Sequence, residues 1–170
     1  MAVFGSGRAK PGDGLYELAM AAGARLAQLG CRVVSGGYGG VMEACSRGAR
    51  EAGGRTVGVT CAIWKSPPNA YLDEVVHTPD LVQRLAKLHE LAGAGFVVLP
   101  GANGTLSELA LTWELKSMDR LHRDAPLVCV GRFWQPVVAA VCSLRPASSQ
   151  CIHCVDKVSE LDRFLAPAGA

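Results

Sequence analysis

Residues 97–115 read VVLPGANGTLSELALTWEL. The apolar run stops at Pro100-Gly101, a short glycine loop follows, and leucines at helical spacing take over. Strand, glycine loop and helix in that order form one half of a parallel-sheet unit. The loop also raises a chemical question. Glycines at the mouth of a helix let backbone N–H groups converge on an anion, where the positive end of the helix dipole assists. Thr105-Leu-Ser-Glu108 then has two readings. As a capping box, Thr105 caps the helix and Glu108 bonds back to its start. As a site, Thr105 and the neighbouring amides hold a phosphate, and Glu108, one turn in, meets the bound ligand. One carboxylate does not easily do both.

Working outward, the same alternation recurs. MAVFGS (1–6) reads as a strand, DGLYELAMAAGARLAQLG (13–30) as a helix, and CRVVSGG (31–37) as a strand entering glycines. GVMEACSRGAREAGG (40–54) reads as a helix closed by glycines and RTVGVT (55–60) as a strand. CAIWKSPPNAYL (61–72) is a loop with two prolines, DEVVHT (73–78) a short strand, and PDLVQRLAKLHELAG (79–93) a helix with Pro79 near its start. After GFVVLPG (95–101) and the helix TLSELALTWELKSMD (105–119), APLVCVG (125–131) is another strand. FWQPVVAAVCSL (133–144) and SELDRFLA (159–166) read as helices on either side of a late strand, QCIHCVD (150–156). This pattern is that of an α/β chain, a parallel sheet covered by helices on both faces. No repeat, linker or low-complexity segment divides it, so residues 1–170 are expected to form one domain.

In such sheets ligands bind at the carboxyl ends of the strands. Here those ends are glycine-rich three times, in FGSG (4–7), SGGYGG (35–40) and PGANGT (100–105). One such loop is a turn; three on one edge read as a phosphate or nucleotide cradle. The candidate binding residues are therefore Gly5, Ser6, Gly36, Gly37, Gly39, Gly40, Gly101, Asn103, Gly104 and Thr105. None of the loops fits G-x-x-x-x-G-K-[ST], and SGGYGG is out of register for G-x-G-x-x-G, which argues against a nucleoside triphosphatase and a dehydrogenase. No G-x-S-x-G elbow supplies a serine nucleophile.

Composition narrows the classes further. A hydrophobic content of 49% with 19% charged residues describes a chain that buries a core. Net charge is +2, with no basic stripe interleaved with aromatics, so nucleic acid is not an expected partner. No apolar run reaches membrane-spanning length and MAVFGSGRAK lacks a signal-peptide layout, so neither a membrane nor export is expected and the location is read as cytoplasmic. The seven cysteines are scattered, mostly in apolar segments where a thiol behaves as a small hydrophobe. Cys151, His153 and Cys154 could begin a metal site, but a structural zinc wants a second tight ligand pair and none is visible; the strand reading is preferred and no metal is expected.

Arg84 is the second candidate for chemistry. On a helical wheel over residues 80–92, Leu81, Leu85, Leu88, Leu91 and Ala92 share one arc, and Arg84 falls inside it. An arginine on an apolar face wants a partner. Either it pairs with a structural acid or snorkels outward, or it faces the site, binding phosphate or orienting Glu108. The helix 105–118 carries two apolar sides, Leu106, Leu109 and Trp113 against Leu111, Leu115 and Met118. The second side calls for another helix, most simply the same one from a second subunit, so a homodimer is expected. In SGRAK, Ser6, Arg8 and Lys10 either touch a phosphate or belong to a solvated loop. His77, His89 and His122 stand isolated and read as surface residues.

PGANGTLSE (100–108) resembles the P-G-G-x-G-T-x-x-E signature of the LONELY GUY family, the cytokinin-activating phosphoribohydrolases. VVSGGYGGVMEACSRGAREAGGRTVGVT (33–60) is similar to that family's upstream glycine block and strand, and FGSG to its first-strand loop. The likeness runs over residues 1–130. It implies a Rossmann-like three-layer α/β/α domain that dimerises and cleaves the N-glycosidic bond of a nucleoside 5′-monophosphate to free base and ribose 5-phosphate, without a cofactor. Carried over, Gly101, Gly104 and Thr105 hold the phosphate, Glu108 lies at the ribose, and Arg84 completes the catalytic pair. The chain departs from the family pattern at Ala102, which replaces the second signature glycine. LVQRLAKLHE replaces M-x-x-R-K, which shifts Arg84 by one position, and AGAGF lacks an acid before the strand. The competing reading on the same fold is a non-catalytic carrier of a nucleotide or of a molybdenum-cofactor-like molecule.

Overall fold

The computed structural model describes residues 1–121 and 124–165. Among them, seven strands form one sheet: β1 (Ala2–Phe4), β2 (Val33–Ser35), β3 (Thr56–Cys61), β4 (Glu74–Thr78), β5 (Phe96–Val98), β6 (Leu127–Val130) and β7 (His153–Val155). Their order is β4-β3-β2-β1-β5-β6-β7, and every neighbouring pair is parallel. The connecting helices are α1 (Gly14–Gln28), α2 (Val41–Glu51), α3 (Leu81–Leu91), α4 (Asn103–Ser117) and α5 (Gln135–Leu144). Two short 3-10 segments, Pro146–Cys151 and Val158–Arg163, flank β7.

Side-chain alternation along the strands splits the interior into two layers. Val3, Val33, Val97, Val128 and Val130 face α1 and α2, where Tyr16, Leu26, Val41 and Cys45 complete a buried cluster. Ala2, Phe4, Val34, Phe96, Val98, Leu127 and Cys129 face the other way, against Leu88 of α3, Leu109 and Trp113 of α4, and Trp134. On the first side α1 and α2 cross in close contact. Gly23 lies against the Cys45 carbonyl and Gly48 against the Met20 carbonyl, so a side chain at either position would push the helices apart.

The order also fixes where a ligand fits. From β1 the chain builds outward through β2, β3 and β4, then returns to the other side of β1 with β5. The reversal leaves a crevice beyond the carboxyl ends of β1 and β5, bounded by the loops entering α1 and α4. Hydrogen bonds tie the two loops together: Leu99 N donates to Phe4 O at 2.8 Å and Ser6 N to Pro100 O at 3.0 Å.

Several elements differ from their expected form. α4 begins at Asn103 with Ala102 as its cap, two residues before Thr105. α3 begins at Leu81, where Asp80 caps it by accepting from Gln83 N at 2.8 Å, and Pro79 stands outside. In place of the expected α-helix SELDRFLA, residues Val158–Arg163 form a short 3-10 segment that ends at Phe164. Leu81 of the expected apolar arc and Leu106 of α4 are both exposed; Thr105 and Thr112 take buried positions on α4. None of the described helices is long and apolar enough to cross a membrane.

Candidate active site

A cavity of about 550 Å³ opens in the crevice. Its walls come from the loop after β1 (Gly5, Ser6, Gly7, Arg8), the start of α4 (Ala102 to Thr105, with Glu108), Gly36, Tyr38 and Met42 from the region entering α2, Arg84 from α3, and Trp64 and Ser66 from the loop after β3.

The α4 end of the cavity is built to receive an anion. The first residues of a helix leave their N–H groups without intrahelical acceptors. Among the described residues no acceptor meets the amides of Asn103, Gly104 or Thr105. Nothing stands near the Gly104 α-carbon on its side-chain face, so an approaching oxygen meets bare backbone there. The Thr105 side chain packs against Gly101, where a Cβ would collide with Oγ1. Ala102 takes φ −101° and ψ −152°, an extended backbone that any residue adopts, so its departure from glycine costs no strain.

One turn further in lies Glu108, its side chain 13% exposed, with Arg84 at 7%. Arg84 Nη1 sits 3.4 Å from Glu108 Oε1, and Arg84 Nε donates to the Val59 carbonyl at 2.8 Å. Gly36 makes this possible, since a Cβ there would occupy the place of Arg84 Nη2. The one-position shift of Arg84 thus leaves it in reach of the acid. Burial pushes the Glu108 carboxyl up to about 7, and the Arg84 guanidinium pulls against that rise. A carboxylate poised near neutrality suits proton transfer. The capping-box reading fails: Glu108 meets a guanidinium, not the start of its own helix, because α4 starts two residues before Thr105.

Of the expected binding residues, Gly5, Ser6, Gly36, Asn103, Gly104 and Thr105 line the cavity, as do Glu108 and Arg84. Gly37, Gly39, Gly40 and Gly101 do not. Gly40 caps α2 at φ +71° and packs against Ser6 O and Gly7, while Val41 N donates to Ser6 O at 2.8 Å. Gly37, at φ +81°, lies against Gly58 and Thr60 of β3. These glycines fit the loops to one another. Arg8 reaches the cavity; Lys10 is exposed beside it, its amide donating to Asp13.

Outside the cavity, His77 is exposed, its Nδ1 2.6 Å from Thr60 Oγ1. His89 is half-buried, with Nε2 2.8 Å from Thr112 Oγ1 and its ring against Phe96, so it is not a surface residue; burial lowers its pKa. His122 lies outside the described residues. Cys154 on β7 pairs in register with Cys129, not with Cys151. Among the described residues no three metal-ligating side chains gather. Tyr38, Met42 and Trp64 also line the cavity without being expected there. Trp64 carried the one available signal, a large aromatic in a proline-bearing loop at a strand end.

The model of the SLOG cluster4 family matches residues 1–122. The chain is 30% identical over 165 residues to a cytokinin riboside 5′-monophosphate phosphoribohydrolase of Mycobacterium tuberculosis, covering 91% of this chain and 87% of that protein. It is 39% identical over 102 residues to the protein of that name in Mycobacterium marinum, covering 58% and 54%. In structure it is similar to a molybdenum cofactor binding protein from Rippkaea orientalis, with TM-score 0.75 at 23% identity over 96% of this chain and 92% of the other. It is likewise similar to the molybdenum cofactor carrier protein of Chlamydomonas reinhardtii, with TM-score 0.71 at 22% identity over 96% of each chain. At these identities the two structures speak for the fold.

Proposed function

The chain belongs to the SLOG cluster4 family and is LONELY GUY-like, and we propose that it is a phosphoribohydrolase that releases the free base from a nucleoside 5′-monophosphate. The observation that carries the reading is the buried Arg84–Glu108 pair one turn beyond an open helix start, inside one cavity. The 5′-phosphate docks on the amides of residues 103–105 and the Thr105 hydroxyl, which brings the ribose over Glu108. As the C1′–N bond breaks, its electron pair leaves with the base and C1′ gains oxocarbenium character. The Glu108 carboxylate stabilises that charge and takes a proton from the water whose oxygen bonds to C1′. The proton ends on the departing base nitrogen, and ribose 5-phosphate remains. Arg84 holds the carboxylate in place and favours its ionised form. Anchoring by the phosphate supplies the orientation that the bond cleavage uses. No cofactor enters this scheme.

The same proposal includes a cytoplasmic homodimer. Leu111 of α4 and Met118 at its C-cap are 39% and 54% exposed, and Val141 and Leu144 of α5 are exposed too, apolar surface suited to a second copy of the chain. Sedimentation at micromolar concentration reads that assembly directly.

The test is chromatography of the purified protein after incubation with a panel of nucleoside 5′-monophosphates, with Glu108→Gln beside it. Wild-type protein is expected to release base, and the variant to lose about 100-fold or more of that rate while still binding nucleotide. Binding without base release by the wild type would replace the hydrolase with the carrier.

A further inference from the structure

Trp64 is the largest side chain in the cavity that the phosphate and ribose contacts do not use. It lies in the loop between β3 and β4, 43% exposed, while Trp113 and Trp134 are buried. The loop has no regular secondary structure, yet it is pinned. Tyr38 Oη donates to Cys61 O at 2.9 Å and accepts from Cys61 N at 2.8 Å. Asn69 Nδ2 donates to Tyr38 O at 3.0 Å, and Asn69 N to Gly37 O at 2.9 Å. The Tyr38 ring stands edge-on to the indole at 5.5 Å. Pro67 and Pro68 stiffen the segment between. An exposed indole held this firmly at a cavity wall loses little freedom when something stacks on it.

Its position along the cavity gives the occupant. The Arg84 guanidinium lies over one face of the indole, 5.2 Å from its centre, and its Nη1 lies 3.4 Å from Glu108 Oε1. Reading along the wall, the order is the open start of α4, then Glu108, then Arg84, then Trp64. A nucleotide presents phosphate, sugar and flat heteroaromatic base in that order. We infer that Trp64, with the exposed surface that Arg84 leaves uncovered, is the stacking platform for the base of a nucleoside 5′-monophosphate, so the site selects for an aromatic base and not for a bare sugar phosphate. The inference rests on the proposed docking of the phosphate at α4; it does not depend on bond cleavage.

Isothermal titration with adenosine 5′-monophosphate and with ribose 5-phosphate, both in the Glu108→Gln background to stop turnover, separates the cases. Trp64→Ala is expected to weaken adenosine 5′-monophosphate about 10-fold or more, in the range of base–aromatic stacking, and to change ribose 5-phosphate by less than about 2-fold. Trp64→Phe, which keeps an aromatic face, is expected to hold within about 3-fold of the parent for both ligands. Equal weakening of both ligands by Trp64→Ala, unchanged binding of adenosine 5′-monophosphate, or no binding of it by the parent would each overturn the platform. Base release by the unmutated protein is scored separately. Release with a silent Trp64→Ala removes the platform and keeps the hydrolase; Trp64-dependent binding without release does the reverse.

Discussion

The second and third glycine loops, SGGYGG and PGANGT, look alike in sequence, and each leads from a strand into a helix at the same sheet edge. In the fold they do different work. At the second, Gly40 fills a left-handed position against Ser6 and Gly7, and the Ser6 carbonyl already accepts from Val41 N. The protein itself supplies the acceptor for the first amide of that helix. At the third, the amides of residues 103–105 meet no acceptor among the described residues, and Gly104 faces open space. Glycine thus serves close packing in one loop and ligand access in the other, and only the surrounding atoms distinguish them.

Alanine at the two sites should break the resemblance most sharply. Gly40→Ala combines a left-handed φ with a backbone clash, and is expected to cost about 2–4 kcal/mol by chemical denaturation. Gly104→Ala sits within a helix with nothing nearby, so stability should stay level or rise by up to about 1 kcal/mol, while ribose 5-phosphate binding weakens because the added methyl crowds the phosphate. If the two variants lose stability alike, the division of labour is wrong.

A comparable effect belongs to the acid beyond the third loop. Glu108 has a folded-state pKa of about 7 against an ordinary 4.5, so the folded chain holds its proton more tightly than the unfolded chain. Its contribution to stability is complete below pH 4.5 and is lost as pH rises through 7, by up to about 3 kcal/mol. Denaturation of wild type and Glu108→Gln across pH 4–8 should show the wild type declining relative to the variant over that window. Parallel curves would mean that the carboxyl is not buried as described.

The smallest expected effect is at Thr105. Thr105→Val keeps the side-chain shape beside Gly101 and removes one hydroxyl donor, so ribose 5-phosphate should bind about 10-fold more weakly with little change in stability.

Much of this arrangement was readable from residue pattern. Alternating apolar strands and amphipathic helices gave the parallel sheet, and Arg84 on an apolar helix face announced a buried partner, which is Glu108. The start of α4 is not legible, because Ala102 caps it without a side-chain acceptor and the nearest residue of capping type is Thr105. The half-burial of His89 is not legible either, because its partners, Thr112 and Phe96, come from other elements and leave no mark in local sequence. The place of Trp64 is hidden in the same way. Its loop carries no periodicity, and only the Tyr38 pins, distant in sequence, bring it to the cavity.

The difference between the two loops can be read in one titration, amide chemical shifts of the nitrogen-15-labelled protein during addition of ribose 5-phosphate. The largest changes are predicted at Asn103, Gly104 and Thr105, with Gly39 and Gly40 nearly still. Large shifts at Gly39 and Gly40 with residues 103–105 unmoved would contradict the account and move the phosphate to the other helix.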